Sequence, residues 1–576
     1  MPAAHGRSHH NPRGARHAAP TSYASLAAAF DNIGIATGKA PQAADLDGHG
    51  YSLSAEDLAA AGWQPGAPVT VAATTLTWPK AAAGQLDNVV AAGQTITLRG
   101  SGTALALVVT GTNGDANGAG TINYADGSHA AYQVTAPDWV SGVNDTKTLT
   151  MPHRNTPTGA TFTDTKLYTV LAPTDPNRAV RSVTLPTTSG GRLHVFVIAL
   201  RAATPGWAGT WSTAVDDGLV NGPWTDRTLC MVEHTSIGGT HTRIRLDNAF
   251  GRAPVTIGHA TIAVQATGSA STATPRTLTF GGRRNATIPA GGQIMSDSLR
   301  FDVPTDTSLL VSLYLPGPVL LASQHSLGMQ DMYSSADYSG DRTNDVTTFP
   351  NMYTFGFWTL LSGIDVTSSA GTVVALGDSI TDGYGSTQSG NDRWPNDLAR
   401  RLLGRTPAYG VANEGISGNK VVTDGFNGDP GSGGAGVRAL ARLDRDVFSQ
   451  TGVRTVIVME GINDLKAGTP PDQVIDGLRQ IATQAQGYGL RVVAATITAF
   501  KGWREYTDAY EANRQQVNAF IRDNGGVFDA VLDFDQVTRD PVDPQQLLAA
   551  YDCGDHLHPN PAGYQAMADA IDLSTL

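Results

Sequence analysis

Several segments in the last third of the chain place reactive or hydrogen-bonding residues soon after apolar runs. Gly377, Asp378 and Ser379 follow "VVAL", residues 415–419 follow the stretch containing "VANE", and residues 461–464 follow "VIVME". A further segment near the C-terminus, "CGDHLHPNPAGY", supplies Asp555, His556 and His558. A serine hydroxyl becomes nucleophilic when an imidazole takes its proton and a carboxylate orients that imidazole. N–H donors would stabilise the tetrahedral intermediate. These residue types therefore indicate acyl transfer through a serine.

Taken alone, Ser379 has a second interpretation, because serine is also a favoured residue at a helix N-cap. The Gly-x-Ser-x-Gly motif of common α/β-hydrolases is missing. Instead, four segments in order, "GDSITDG", "NEGISGN", "GIND" and "DHLHP", resemble blocks I, II, III and V of the SGNH/GDSL hydrolase superfamily. The four segments together favour the interpretation of Ser379 as a nucleophile over its interpretation as a helix N-cap.

The resemblance implies a role for each matching residue. Ser379 would be the nucleophile and would also donate its own N–H to the oxyanion hole. Gly418 would donate a backbone N–H to that hole and Asn463 a side-chain amide. His558 would be the general base and then the general acid, with Asp555 orienting it. The resemblance implies no metal and no cofactor.

Three neighbouring features are ambiguous. His556 is interpreted as a structural loop residue, and a His556/His558 metal pair lacks the further Cys or carboxylate ligands that zinc needs. Trp394 and Trp503 follow predicted sheet ends, so either could bind substrate or pack in the core. The segment "GDPGSGGAG" (Gly428–Gly436) lacks the Lys-Ser/Thr of a phosphate loop and is interpreted as a mobile loop near block II.

The elements that must position these residues are predicted from the pattern after Gly371. Apolar runs such as "TVVAL", "TVIVME" and "RVVAATITAF" alternate with helical stretches such as "WPNDLARRLL" and "DQVIDGLRQIATQA". Such alternation predicts a parallel sheet covered by helices on both faces, the flavodoxin-like α/β class. Ligands bind at the carboxyl ends of such strands, which is where the candidate residues lie. Residues 369–576 are therefore predicted to be the catalytic domain.

The chain before this domain is predicted to be all-β. Short alternating strands and an Asp-Gly hairpin signal in "YADGSHAAYQV" predict a β-sandwich over residues 21–203. A second β-sandwich is predicted over residues 204–368, packed with the hydrolase domain.

Both β blocks carry looser resemblances. The first resembles accessory domains of bacterial glycoside-active enzymes, which implies a glycan-binding or structural role. The second resembles the sandwich that precedes the catalytic domain in some SGNH hydrolases. Trp63, Trp78 and Trp139 could stack on sugars, or could be core residues.

Composition excludes several classes of function. The net charge of -12 disfavours binding to nucleic acid or to an anionic membrane, and no stretch has the ~20 apolar residues of a membrane span. The two cysteines, Cys230 and Cys553, either pair or stay free. Residues 1–20 are interpreted as a disordered tail, in which His5, His9 and His10 have nothing nearby to order a metal site.

These features together predict a serine esterase that acts on short-chain acyl esters through an acyl-enzyme. A carbohydrate O-acetylesterase, with an acetylated polysaccharide as partner, is the favoured form. A lipase or arylesterase of the same superfamily and a non-catalytic glycan-binding protein are the alternatives. The architecture indicates an extracellular protein, although no signal peptide is visible in the sequence.

Overall fold

The computed structural model describes residues 21–219, 223–347, 349–425 and 434–576. The predicted tail, with His5, His9 and His10, lies outside the described residues, as do positions 428–433 of the glycine-rich segment. Below, "first β region" denotes residues 21–203, "middle β region" residues 204–368 and "α/β region" residues 369–576.

The first β region is built on one hydrogen-bonded sheet of ten strands. Two very long strands, β8 and β12, pair in antiparallel orientation, with Ala104 opposite Arg201 at one end and Tyr124 opposite Val180 at the other. The predicted Asp-Gly hairpin joins β8 to β9. Its elements are β1 (Ser22–Tyr23), α1 (Leu26–Ala29), β2 (Ile35–Ala36), β3 (Ser52–Ser54), α2 (Ala55–Ala60), β4 (Pro68–Val71), β5 (Thr74–Thr77), β6 (Val89–Val90), β7 (Thr95–Gly100), β8 (Ala104–Tyr124), β9 (His129–Ala136), β10 (Lys147–Thr156), β11 (Gly159–Pro173) and β12 (Val180–Arg201).

Both faces of this sheet are buried, because alternate residues of β8 enter different apolar clusters. Leu105 and Leu107 lie in one cluster, and Ala106 and Val108 lie in the other. The second cluster also contains the three tryptophans considered for sugar stacking, Trp63, Trp78 and Trp139, each at most 3% exposed. Their rings are core residues and are not available to stack on a glycan.

The middle β region is a sandwich of two seven-stranded sheets around one apolar core, with a three-stranded and a two-stranded sheet beside them. One seven-stranded sheet counts the β4–β5 hairpin of the first β region among its strands, joined through the pair Gln293 and Thr70. The strands are β13 (Trp207–Ser212), β14 (Asp217–Leu219), β15 (Arg227–His234), β16 (Gly239–Asp247), β17 (Val255–Ile257), β18 (His259–Thr267), β19 (Ala270–Ser271), β20 (Arg276–Leu278), β21 (Ala286–Ile288), β22 (Gln293–Met295), β23 (Leu299–Val303), β24 (Ser308–Leu315), β25 (Ala322–His325), β26 (Met332–Ser334), β27 (Tyr353–Phe355), β28 (Trp358–Thr359) and β29 (Leu361–Thr367).

The α/β region has a five-stranded parallel sheet in the order β31-β30-β32-β33-β34, the flavodoxin-like order. Apolar clusters cover both of its faces, as the uninterrupted apolar strands predict. Its elements are β30 (Thr372–Gly377), α3 (Ser379–Asp382), α4 (Trp394–Leu402), β31 (Gly410–Gly415), α5 (Ala439–Leu443), β32 (Val453–Met459), α6 (Ile462–Lys466), α7 (Pro471–Gly487), β33 (Arg491–Ala495), α8 (Asp508–Asp523), β34 (Ala530–Leu532), α9 (Phe534–Thr538) and α10 (Pro561–Asp569).

The cysteines and the helices of the described residues bear on two further points of the sequence analysis. Cys230 is buried on β15 and Cys553 is exposed, and both are free thiols, so they do not pair with each other. None of the helices formed by the described residues combines the length and the apolar character needed to cross a membrane.

Candidate active site

The turn after β30 carries Ser379, and its hydroxyl is directed to a histidine rather than to the backbone. The preceding residue, Asp378, is the N-cap of α3 and accepts a hydrogen bond from the N–H of Ile380 at 3.0 Å. Ser379 Oγ lies 2.8 Å from His558 Nε2. Because Asp378 caps the helix, the interpretation of Ser379 as a capping residue is wrong.

Burial governs the chemistry of the capping carboxyl. It raises the pKa of Asp378 to about 6, although the Ile380 N–H and the nearby His558 oppose this shift. Asp378 therefore sits beside the serine as a weakly acidic group whose ionisation is costly.

His558 is held by the loop that precedes α10. Its Nδ1–H donates to Asp555 Oδ2 at 2.6 Å. The other carboxylate oxygen, Oδ1, accepts the backbone N–H groups of Leu557 and His558, both at 2.9 Å. Partial burial would raise the pKa of Asp555, but these hydrogen bonds outweigh it and hold the pKa well below its ordinary value. Asp555 is therefore ionised at neutral pH and fixes the orientation of the imidazole.

The candidate oxyanion donors lie just after neighbouring strands of the parallel sheet. Gly377 at the end of β30 pairs with Gly415 of β31 on one side and with Met459 of β32 on the other. The loop after β31 carries Gly418, whose φ of 82° is in the left-handed region that glycine tolerates. Asn463 lies in the first turn of α6, the helix that follows β32.

These donors retain free N–H groups. Asn463 Nδ2 donates one hydrogen to Asn419 O at 3.0 Å, which joins α6 to the loop after β31. Among the described residues, its second hydrogen has no acceptor. The backbone N–H groups of Ser379 and Gly418 have no protein acceptor in the part of the chain that the structure describes. Each of the three predicted donors thus has an unused N–H among the described residues.

Comparison with known proteins agrees with the sequence resemblance. Residues 375–566, about a third of the chain, match the profile of the GDSL-like Lipase/Acylhydrolase family. This part of the chain belongs to the SGNH/GDSL hydrolase superfamily. The protein is accordingly a carboxylic ester hydrolase of the serine type. No curated protein matches the chain significantly.

Several solved structures resemble the same region. A lipolytic protein of the G-D-S-L family from Desulfitobacterium hafniense is 20% identical, with 34% of this chain and 96% of that chain covered and a TM-score of 0.27. A G-D-S-L family protein from Veillonella parvula is 20% identical, with 35% and 96% covered and a TM-score of 0.26. A variant of an acetyl xylan esterase from Geobacillus stearothermophilus is 22% identical, with 35% and 94% covered and a TM-score of 0.27.

The two tryptophans predicted near the hydrolase site have different surroundings. Trp503 is partly buried, and its ring centroid lies 6.0 Å from that of His558, edge to face. Trp394 is fully buried in the core between helices and sheet and packs against Phe534, so it does not line the site. The prediction for Trp394 is wrong because the residue begins α4, whose apolar side faces the sheet.

One aromatic residue beside the histidine escaped the sequence analysis. The ring centroid of Tyr384 lies 4.3 Å from that of His558, and the side chain is 44% exposed. Gly383 and Gly385 flank it with φ values of 114° and 87°, which reverse the chain after α3. The only signal was its position just after "GDSITDG".

His556 has the structural surroundings that were predicted. Its Nδ1 lies 2.7 Å from Asp552 Oδ2, and its side chain is exposed. It therefore packs within the loop that carries His558 rather than contacting Ser379.

Proposed function

We propose that Ser379, His558 and Asp555 form the catalytic triad of this ester hydrolase. The observation that carries the proposal is the continuous hydrogen-bonded chain from Ser379 Oγ through both ring nitrogens of His558 to Asp555. The ionised Asp555 keeps His558 in the tautomer whose Nε2 lone pair faces the serine. That geometry is the one in which the serine hydroxyl can lose its proton as it attacks.

In the proposed reaction, Ser379 Oγ attacks the ester carbonyl while its proton passes to His558 Nε2. The N–H groups of Ser379 and Gly418 and the free hydrogen of Asn463 Nδ2 receive the negative oxygen of the tetrahedral intermediate. Its collapse breaks the bond to the alcohol, which takes the proton from His558 and leaves an acyl-serine. Water then attacks the acyl-serine while His558 takes its proton, and the second intermediate collapses to release the acid and return the proton to Ser379.

We propose a short acyl group, with acetyl on a carbohydrate as the favoured substrate. Support comes from the exposed ring of Tyr384 beside His558, since exposed aromatic faces pack well on sugar rings. Two cations lie over the Trp503 ring, Lys466 at 4.9 Å and Arg504 at 5.3 Å, and they suit a hydroxyl-rich leaving group better than a lipid. A glycan-binding function without catalysis is set aside, because the chain carries the ester hydrolase domain.

The domain boundaries remain our proposal: a first unit over residues 21–203, a second over 204–368 and the hydrolase over 369–576. Because Trp63, Trp78 and Trp139 are buried, any glycan contact by the first unit would need other side chains. We propose that the second unit packs with the hydrolase as part of its active structure.

Two experiments test the function. Ser379→Ala is expected to abolish hydrolysis of p-nitrophenyl acetate while circular dichroism stays unchanged, and retained turnover would refute the nucleophile. Chain-length selectivity is measured on p-nitrophenyl acetate, butyrate and octanoate beside acetylated xylan oligosaccharides. Preference for octanoate would favour a lipase, and activity confined to aryl acetates would favour an arylesterase.

A further inference from the structure

A buried histidine of the middle β region contacts the helix that carries Ser379. His325, at the end of β25, donates from Nε2 to Asp382 Oδ1 at 3.0 Å, and both side chains are 2% exposed. The same nitrogen faces Leu327 O at 3.0 Å, and Nδ1 faces Ala214 O at 2.8 Å. Carbonyl and carboxylate oxygens can only accept, so both ring nitrogens carry a proton and His325 is an imidazolium.

The carboxylate on the other side of this ion pair joins two loops of the active site. Asp382 is the last residue of α3, and its second oxygen, Oδ2, accepts the backbone N–H of Ser417 at 2.9 Å. Ser417 directly precedes Gly418. Asp382 therefore connects the turn that presents Ser379 with the loop that presents Gly418.

The two loops are also in close backbone contact at this point. A Cβ on Gly415 would lie 2.3 Å from Asp382 N, so the end of β31 packs directly against α3. A shift of the Asp382 carboxylate would therefore move α3, the Ser417–Gly418 peptide, or both.

We propose that His325 is a positioning residue for ester hydrolysis, which holds Asp382 so that the N–H groups of Ser379 and Gly418 converge on one oxyanion. This inference rests on the proposed roles of Ser379 and Gly418. It gives the middle β region a part in catalysis, through a residue that touches no substrate.

Other charged groups around the pair support the same arrangement. Asp216 accepts two hydrogen bonds from Ser326, the residue after His325, through the backbone N–H at 2.8 Å and the hydroxyl at 2.9 Å. Arg393 Nη1 donates to the backbone oxygen of Asp382 at 3.3 Å. Burial alone would lower the pKa of His325, but Asp382 and Asp216 outweigh it and raise the pKa to about 9. The positive charge is thus retained at the pH of an esterase assay.

The test compares two substitutions at one position with a matched control. In H325Q the longer amide can still donate to Asp382, whereas in H325N the shorter amide reaches only Ala214 O. The control is H234N, since His234 forms a similar pair with Asp306 at 2.8 Å and Asp306 also pairs with Arg400 of α4. His234 and Asp306 both lie in the middle β region, and the contact of Asp306 with Arg400 reaches the α/β region. Among the described residues, no hydrogen bond of this pair goes to α3 or to the Ser417 loop.

The readouts separate positioning from folding. Active sites are titrated with a phosphonate, and kcat and KM are measured per titrated site on p-nitrophenyl acetate. H325N is expected to lower kcat by ~10–100-fold with KM nearly unchanged, because misplaced groups lose transition-state stabilisation. Inhibition by a short alkylboronic acid, whose serine adduct fills the oxyanion hole, should weaken by a similar factor. H325Q should recover most of the loss, and H234N should resemble the wild type.

Each outcome bears on the inference. Wild-type kcat per titrated site in H325N, or equal losses in H325N and H234N, would overturn it. If H325N yields no titratable sites, H325L, which also lacks the donor, is measured against H234L by the same criteria. Turnover retained in Ser379→Ala would instead refute the proposed function, so the two failures are distinguishable.

Discussion

Asn463→Ala removes one of the three candidate oxyanion donors without touching the triad. In the wild type, Nδ2 donates one hydrogen to Asn419 O at 3.0 Å, and Oδ1 accepts from Lys466 Nζ at 3.3 Å. The second amide hydrogen has no described protein acceptor and is the one that would reach the substrate oxygen. Loss of one such donor costs ~10²–10³ in kcat, or roughly 2.7–4 kcal/mol of transition-state stabilisation. KM is expected to change little, since the hydrogen bond forms chiefly in the transition state.

The control for this experiment is Asn518→Ala. Asn518 is also a buried asparagine with two side-chain hydrogen bonds, its Oδ1 accepting from Ile497 N and its Nδ2 donating to Ile497 O, both at 2.8 Å. Each variant loses two hydrogen bonds, worth about 0.5–1.5 kcal/mol apiece, so both should lower the thermal midpoint similarly. Only Asn463→Ala should lose activity beyond that shared effect.

The assay is p-nitrophenyl acetate hydrolysis with titrated enzyme, well below the unfolding temperature of all variants. If Asn463→Ala kept kcat within about threefold of the wild type, the oxyanion role would be refuted. An equal loss of kcat in Asn518→Ala would point to general destabilisation instead.

Two further predictions concern charged groups. Asp555→Asn should lower kcat by ~10⁴ with KM nearly unchanged, because the imidazole loses the acceptor that fixes its tautomer, and steady-state kinetics on the same ester check this. His325, with a pKa of about 9 against 6.5 for the free side chain, contributes roughly 3 kcal/mol of stability, fully present below pH ~6.5 and lost as pH rises through ~9. Burial raises the pKa of Asp216 to about 7, so the contribution of Asp216 to the free energy of unfolding is constant above that pH. The thermal midpoint should therefore fall more from pH 7.5 to 9.5 in the wild type than in H325Q. Equal falls in the two proteins would contradict this prediction.

The candidate catalytic segments could be proposed from sequence because local pattern and chemistry coincide there. The strand β30 is apolar to its last residue, so the polar residues that follow it had to lie at the sheet edge. The same argument placed Gly418 and Asn463 after neighbouring strands, and the adjacency of those strands in the sheet brings them to one edge.

The direction of a side chain and its contacts with residues far away in the sequence could not be predicted from local pattern. Tyr384 reaches His558 only because two glycines with positive φ reverse the chain around it. Trp394 follows a loop, as expected, but the side of α4 on which it lies faces the sheet. His325 meets Asp382 across 57 positions of sequence, and nothing in "SQHSLG" indicates that contact.

The β4–β5 hairpin illustrates the same limit at the level of sheets. The alternation of residues 69–78 favours β structure, which the structure contains as β4 and β5, but alternation does not specify a partner strand. Thr70 of β4 pairs with Gln293 of β22, more than 200 positions away, so the hairpin extends a sheet of the middle β region. The predicted boundary near residue 203 is therefore crossed by hydrogen bonds between strands.

Buried polar groups at the contact between the middle β and α/β regions argue that these two regions act together. Ser212 donates to the Glu414 carboxyl at 2.5 Å, and Ser236 Oγ accepts the N–H of Val411 at 3.0 Å. Both contacts fall on β31, the strand that leads to Gly418, and the His325 contact falls on α3. A buried polar group left without its partner costs about 1–3 kcal/mol, so separating the regions would destabilise β31 and α3, the elements next to the candidate oxyanion donors. The middle β region is thus better understood as one wall of the hydrolase than as an appended module, and its substitution should alter turnover as well as stability.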